Sequence, residues 1–312
     1  MPDPISWSSK ILLAKIEDTY GTDPSPAGAS DGILASNVSL RPMEGQDVDR
    51  ELDLAFLGAD GTIPADLHMK LTFRVELAGS GTAGTAPGWA PLIRACAVAE
   101  TVDAGVSVTY NPISESHESV TIYLWIGGTL YALRGARGTC TLTCSASAIP
   151  YLEFDFTALY AEPTETARDA PTLTGFQKPR VASNATTPTF TIDGTGLVMR
   201  SFSMDFGNQV EPRFLIGAEH ILIVDRSELI ETTVEAVPLT TYNPYAKAAA
   251  AEDVDVTLVH GTKAGNIATL NAPTAQMQRP EGLANAQNVT EWPLRLQPRF
   301  AAGNDQWTLT LT

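Results

Sequence analysis

The sequence predicts a mainly β protein made of two tandem, like-shaped domains, each carrying one flanking α-helix and one long loop arm. Three observations lead there. From Leu67 to Leu77 the odd positions read Leu, Met, Leu, Phe, Val, Leu and the even ones His68, Lys70, Thr72, Arg74, Glu76, the period of two that a half-buried strand requires. Residues 38–77 also align with 199–237: Leu40 falls on Phe202, Gly45 on Gly207, Arg50 on Arg213, Leu57-Gly58 on Ile216-Gly217, and Met69/Leu71/Phe73/Val75 on Ile230/Thr232/Val234/Ala236. The offset stays between 159 and 163, which marks a duplicated unit. Finally, 312 residues fit two domains of about 150, each able to bury its own core. The expected division is a first domain over 1–165, a linker over 166–190 and a second domain over 191–312.

Within each half the same order of elements is expected. Leu152, Phe154 and Phe156 alternate with Glu153, Asp155 and Thr157, and Trp307, Leu309 and Leu311 with Thr308, Thr310 and Thr312, so each half closes on an antiparallel-type strand. One helix per half is predicted: Trp89 to Ala99, with Leu92, Cys96 and Ala99 on one stripe and Pro91 in the first turn, and Pro244 to Glu252 around Ala248 to Ala251. Val120 to Ile126, Gly127-Gly128 and Leu130 to Leu133 read as a hairpin. Val254 to Val259 and the looser turn from His260 to Gly265 follow the second helix. Pro163 to Pro188, rich in Pro, Thr, Ala and Ser, has no sustained period and reads as the linker.

Composition excludes several functions. A hydrophobic content of 44% with 18% charged residues describes a globular chain. Net charge is −16, from 36 acidic and 20 basic residues, so clustered cations able to neutralise phosphates are not expected. DNA near such a protein is repelled rather than held. Met1-Pro2-Asp3-Pro4 lacks a basic lead into an apolar run, and no 18 apolar residues run together, so neither this route of secretion nor a membrane span is expected. Cys96, Cys140 and Cys144 are an odd set in a chain too long to need disulfide staples, and they fit a reducing compartment. Cys140 and Cys144 share one face of a strand.

No catalytic, cofactor or metal constellation stands out. His68, His117, His220 and His260 stand alone, neither Cys140 nor Cys144 has a histidine at zinc-ligand spacing, and Glu153/Asp155 share an ordinary polar strand face. Gly79-Ser-Gly81-Thr-Ala-Gly84 has the Gly-x-Gly-x-x-Gly form but leads to Pro87-Gly88 rather than directly into a helix. The candidate functional residues lie instead in two long polar stretches. Met43 to Asp66 carries Glu44, Asp47, Asp49, Arg50, Glu51, Asp53 and Asp60 beside Leu52, Leu54, Phe56 and Leu57; Phe206 to Ser227 carries Glu211, Arg213, Glu219, Asp225 and Arg226. Loops of this length are uncommon without a function. Mixed charge beside apolar residues suits an arm reaching a neighbouring subunit, and a solvated hairpin lying on its own domain is the alternative.

The stretch Lys15-Ile-Glu-Asp-Thr-Tyr20-Gly21-Thr-Asp23-Pro24-Ser-Pro26 resembles the amino-terminal segment of major tail tube proteins of long, non-contractile-tailed bacteriophages, particularly the Mu-like transposable siphophages. Glu76-Leu-Ala-Gly79-Ser-Gly81-Thr-Ala-Gly84, Pro87-Gly-Trp89 and Leu92-Ile-Arg94-Ala-Cys96 are similar to the same family. So are Tyr110-Asn-Pro112, Ser119 to Tyr123 and Arg134-Gly-Ala-Arg137-Gly138. The resemblance covers about residues 11 to 163 by motif and the second half by architecture alone.

It implies two tail-tube-type β-sandwich or barrel domains in a structural virion protein, assembled in the host cytoplasm, whose rings stack into a tail tube through which DNA passes without specific binding. Its partners would be further copies of itself, a tape measure protein, a tail terminator and distal tail proteins, with no membrane. Such proteins normally place one domain per subunit and six subunits in a ring; two domains per chain make a homotrimer with pseudo-sixfold symmetry the expectation. The competing arrangement is a hexamer in which 175–312 forms an immunoglobulin-like decoration. The excess acid would line the lumen or lie on the outer surface. A rival function is a carbohydrate-binding or adhesin-like β-sandwich with Tyr123, Trp125 and Tyr131 as a stacking platform.

Overall fold

The computed structural model describes residues 5–53 and 55–312; Met1 to Pro4 and Leu54, both read in the sequence above, lie outside them. The chain is mainly β, its described strand pairs are all antiparallel, and its two helices are short. In the first half the strands neighbour one another in the order Lys10–Ile16, Val120–Ile126, Thr129–Ser145, Tyr151–Leu159, Thr62–Glu76, Ala35–Asp49. In the second half the order is Thr189–Ile192, Asp253–His260, Ala268–Met277, Val289–Pro298, Leu229–Glu235, Met199–Asp205. The two ladders match strand for strand. Even the register agrees: Leu40 stands opposite Leu71, and their aligned counterparts Phe202 and Thr232 stand opposite each other.

Two junctions join the ladders. The end of the long central strand, Thr141 to Ser145, pairs with Met199–Asp205, so the outermost strand of the second ladder extends the sheet of the first. The closing strand Thr308–Leu311 pairs on one side with Ala268–Met277 and on the other with Ser107–Pro112. That last strand belongs to a hairpin, Val98–Asp103 and Ser107–Pro112, which has no counterpart in the second half. Across the first junction one sheet runs from Ala35–Asp49 to Val289–Pro298, with a buried apolar face and a Ser/Thr-rich polar face.

Alternation dictates which face packs. Met69, Leu71, Phe73 and Val75 are buried, as are Leu152, Phe154 and Phe156 across from them. Phe73 lies 5.6 Å from Phe154 and 5.9 Å from Phe156, ring centre to ring centre. Leu142, Cys144, Phe202 and Met204 continue this layer through the junction. All three cysteines are buried and unbonded. Burial pushes the Cys144 thiol up to about 11, away from the thiolate form that reacts.

The helices are shorter than the sequence suggested. The first spans Ala90–Arg94 instead of reaching Ala99, because Ala97 takes a left-handed φ of 56° and the chain reverses into the strand beginning at Val98. The second spans Pro244–Ala249 and stops before Ala251, which has a φ of 50°; Asn243 Oδ1 caps it by accepting from Ala246 N at 3.0 Å. Both helices therefore end on an alanine in a region that costs about 1 kcal/mol for any residue bearing a Cβ. Trp307, expected on the closing strand, sits just before it and packs against Phe206 at 4.4 Å.

One carboxylate orders the amino-terminal segment. Glu17, buried beneath the first ladder, accepts from Ser119 Oγ and Thr121 Oγ1 at 2.6 Å and from Gly21 N and Gly135 N at 2.7 Å. Four donors compensate its desolvation.

Phe202, 1% exposed at the junction, sets a stability test: Phe202→Ala should cost about 3–5 kcal/mol in urea unfolding. The exposed Phe300→Ala should change stability by less than about 0.5 kcal/mol.

Candidate assembly surfaces

Both polar stretches are hairpins that project from matching places in the two ladders. The first arm is the outer part of Ala35–Asp49 and Thr62–Glu76, loosened by register shifts between Ser36 and Ser39, Arg41 and Glu44, and Glu44 and Gln46. Bulges of this kind bend and twist a strand pair. Its polar contacts stay within the arm among the described residues: Arg41 with Glu44 at 3.3 Å, Gln46 with Asp66 at 3.0 Å, Glu51 N with Asp49 at 3.2 Å, Leu52 N with Asp60 at 3.2 Å. Asp47, Asp49, Arg50, Glu51 and Leu52 are exposed, Glu44 partly so, and at the tip Phe56 and Leu57 are almost wholly bare.

The second arm, Asn208–Leu215 and Ala218–Arg226, carries Glu211, Arg213 and Asp225 exposed and turns at Ile216-Gly217, the counterpart of Leu57-Gly58. Unlike the first, it is latched to the body. Asn208 Nδ2 donates to the carbonyls of Cys96 at 2.7 Å and Gly138 at 3.0 Å. Arg226 donates to Asn208 Oδ1 at 2.9 Å and to the carbonyls of Ala97 at 2.7 Å and Ile113 at 3.1 Å. Arg137 holds the opposite strand through the carbonyl of Ile221 at 2.9 Å, while Ile221 N donates to Tyr20 Oη at 2.6 Å. Every one of these body partners belongs to the first half.

The second arm therefore lies on the other half rather than on its own. Arg226, expected at a contact between subunits, is spent inside the chain; burial lowers its pKa while Glu228, 3.9 Å away, raises it. Sequence reading missed Asn208, Arg137 and Tyr20 as fasteners. The available signal was Gly207 aligned with Gly45: Gly207 has a φ of 62°, and a Cβ there would stand 1.9 Å from the carbonyl oxygen of Ser227. That close approach lets the chain leave the sheet and enter the arm.

The polar sheet face is the second candidate surface. Two shallow depressions occupy corresponding places on it, one between Thr72, Arg74, Thr141, Asp155 and Asp205, the other between Thr143, Ser145, Ser203, Glu231 and Arg295. Three of its arginines are paired across strands, Arg295 with Glu231 at 3.2 Å, Arg200 with Glu291 at 2.5 Å, and Arg74 with Glu153, while Lys70 and Arg41 lie on the same face near Asp155. Asp155 and Asp205 remain exposed.

The stacking platform is not formed. Trp125 is buried, its Nε1 donating to Thr166 Oγ1 at 3.2 Å, and Tyr123 bonds Asp23 and meets Trp125 edge-on at 5.6 Å. Burial of Trp125 and its edge-on packing with Tyr123, two residues along the same strand, occupy the aromatic faces a sugar would need. Among the described residues, no three His, Cys, Asp or Glu side chains come together in a way that could hold a metal, and no helix is long and apolar enough to cross a membrane.

The latch yields a measurable consequence. Asn208→Ala leaves two buried carbonyls unpaired, a cost of about 1–3 kcal/mol. Amide exchange over 208–226 should accelerate in this variant, with exchange over 152–157 unchanged.

His117, partly buried beside Arg137 and Arg226, has its pKa lowered by burial first and by those cations second. His260 is lowered too, by burial. A neutral imidazole in the fold and a protonatable one in the unfolded chain mean that stability falls as pH drops below about 6.5. His117→Gln should flatten part of this decline in urea titrations at pH 7.5 and 5.5.

A family model described as phage tail tube protein matches residues 7–291. No curated protein matches the chain.

Proposed function

The chain belongs to the phage tail tube protein family, and on that premise we propose that it polymerises as stacked rings of three chains around a channel for DNA. As a family member it is a structural component of the phage tail. The matching order of the two ladders supports the finer reading. Each half offers the same strands to one shared sheet, so three chains supply six comparable positions. The second half repeats the ladder and extends the first half's sheet, which favours a tube unit over an outer decoration for residues 191–312. On this reading the chain is two tail-tube-type domains, 1–165 and 191–312, joined by 166–190.

The polar sheet face lines the bore in this proposal. Duplex DNA carries one negative charge per about 1.7 Å of axis, so a conduit must not present free cations in register with phosphates. Hydroxyls, paired arginines and the exposed carboxylates Asp155 and Asp205 favour this, with Asp155 close enough to Lys70 and Arg41 to offset their charge. The arms, with bare apolar tips at Leu57 and Ile216, supply contacts between rings through Glu44, Asp47, Asp49, Arg50, Glu51, Leu52, Phe56, Glu211, Arg213 and Asp225. A tape measure protein inside the bore, and terminator and distal tail proteins at its ends, are the partners this role requires, and the phage tail assembled in host cytoplasm is its place.

Purified protein should polymerise with rising concentration into hollow tubes visible by negative-stain microscopy; material that stays solitary at every concentration contradicts the proposal. Asp155→Lys with Asp205→Lys should leave tubes intact and slow DNA ejection from virions by about tenfold or more, since each added bore cation offers phosphate a binding partner in every ring. Unaltered ejection would remove that face from the bore.

A further inference from the structure

We propose that the seam between neighbouring chains copies the junction already built inside one chain, the free edge of Ala35–Asp49 pairing antiparallel with the free edge near Ala284–Ala286 of a second copy. This rests on the ring reading and names the surfaces that close the ring. Within the chain, Thr141 to Ser145 at the end of the central strand of the first ladder takes up Met199–Asp205, the outermost strand of the second. Matching the ladders assigns each partner a counterpart. Met199–Asp205 corresponds to Ala35–Asp49, which among the described residues pairs only with Thr62–Glu76 and has its other edge open. The Thr141 to Ser145 segment corresponds to the segment following Ala268–Met277, where Ala284–Ala286 pairs only with Val289–Pro298 among the described residues.

One chain thus carries both halves of an unused junction. The two surfaces differ from each other, so copies join head to tail and close into a ring only if the rotation permits.

Burial separates the used junction from the unused one. Leu142 and Phe202 are each 1% exposed at the internal junction. At the corresponding free edges Met43 is 54% and Leu283 64% exposed, and Leu40 is only half-buried. Apolar side chains at an open strand edge are an aggregation hazard unless something covers them. Pro42, which has no N–H to donate, and the register shifts between Ser36 and Glu44 blunt this edge in the free subunit, so only a partner in one register pairs with it. Carried across from the internal register, in which Ser203 stands opposite Thr143, the seam brings Arg41 close to Ala286.

The test places single cysteines at both ends of the seam. Arg41→Cys with Ala286→Cys, treated as assembled full-length tubes with a short bismaleimide whose reach tolerates a shift of two residues, should give covalent bands of two and three chains and nothing larger. The native cysteines are buried and do not compete. Either single variant alone should stay at one chain. Tubes that form with three-chain rings but yield only single-chain bands would overturn the seam while leaving the ring standing. Protein that forms no rings at any concentration would overturn both. Equal cross-linking by a single-cysteine variant would also count against the pairing.

Discussion

The pairing of Thr141 to Ser145 with Met199–Asp205 is the constraint on which the rest of the molecule depends. Backbone donors and acceptors at a strand edge must be satisfied by another strand, by water or by a covering segment. Here one half satisfies the other. The result is one continuous sheet with an apolar layer running from Phe73 through Phe154, Leu142 and Phe202 to Leu294. A decorated single-domain subunit would not need this shared edge.

The same junction explains why the two arms behave differently. The base of the second arm sits against the first half, where carbonyls freed by the left-handed turn at Ala97 and by the helix end at Cys96 need donors. Asn208 and Arg226 supply them, and Tyr20 and Arg137 hold the other strand. In a buried setting these bonds are worth more by their absence than by their presence, because an unpaired carbonyl bears its full desolvation cost. The first arm has no such latch: it meets the second arm where His68 faces Phe214, 6.3 Å ring to ring. Its bonds are local, its edge is open and its tip is apolar.

Much of this architecture was legible in the sequence, and the reason is periodicity. The alternation from Leu67 to Leu77 and the Gly127-Gly128 hairpin translate directly into strand faces and a turn, and the aligned pairs Leu40/Phe202 and Leu71/Thr232 occupy matching register positions. Helix ends were less legible, since Ala97 and Ala251 adopt left-handed backbone that their side chains disfavour and only the following strand imposes. The central strand is also longer than the sequence suggested, running from Thr129 to Ser145, because its end is stabilised by a distant segment of chain. Arg226 and Trp125 looked like surface residues for the same reason. Their partners are remote in sequence, and composition carries no trace of them.

In the proposed tube, both halves of one chain occupy equivalent places around a common bore. Reconstruction of the assembled tube by cryo-electron microscopy with no symmetry imposed tests this most directly. Three chains per ring and six similar lobes facing the channel, with the polar faces of both ladders lining it, are expected. Six chains per ring, with residues 191–312 standing outside the wall, would contradict it.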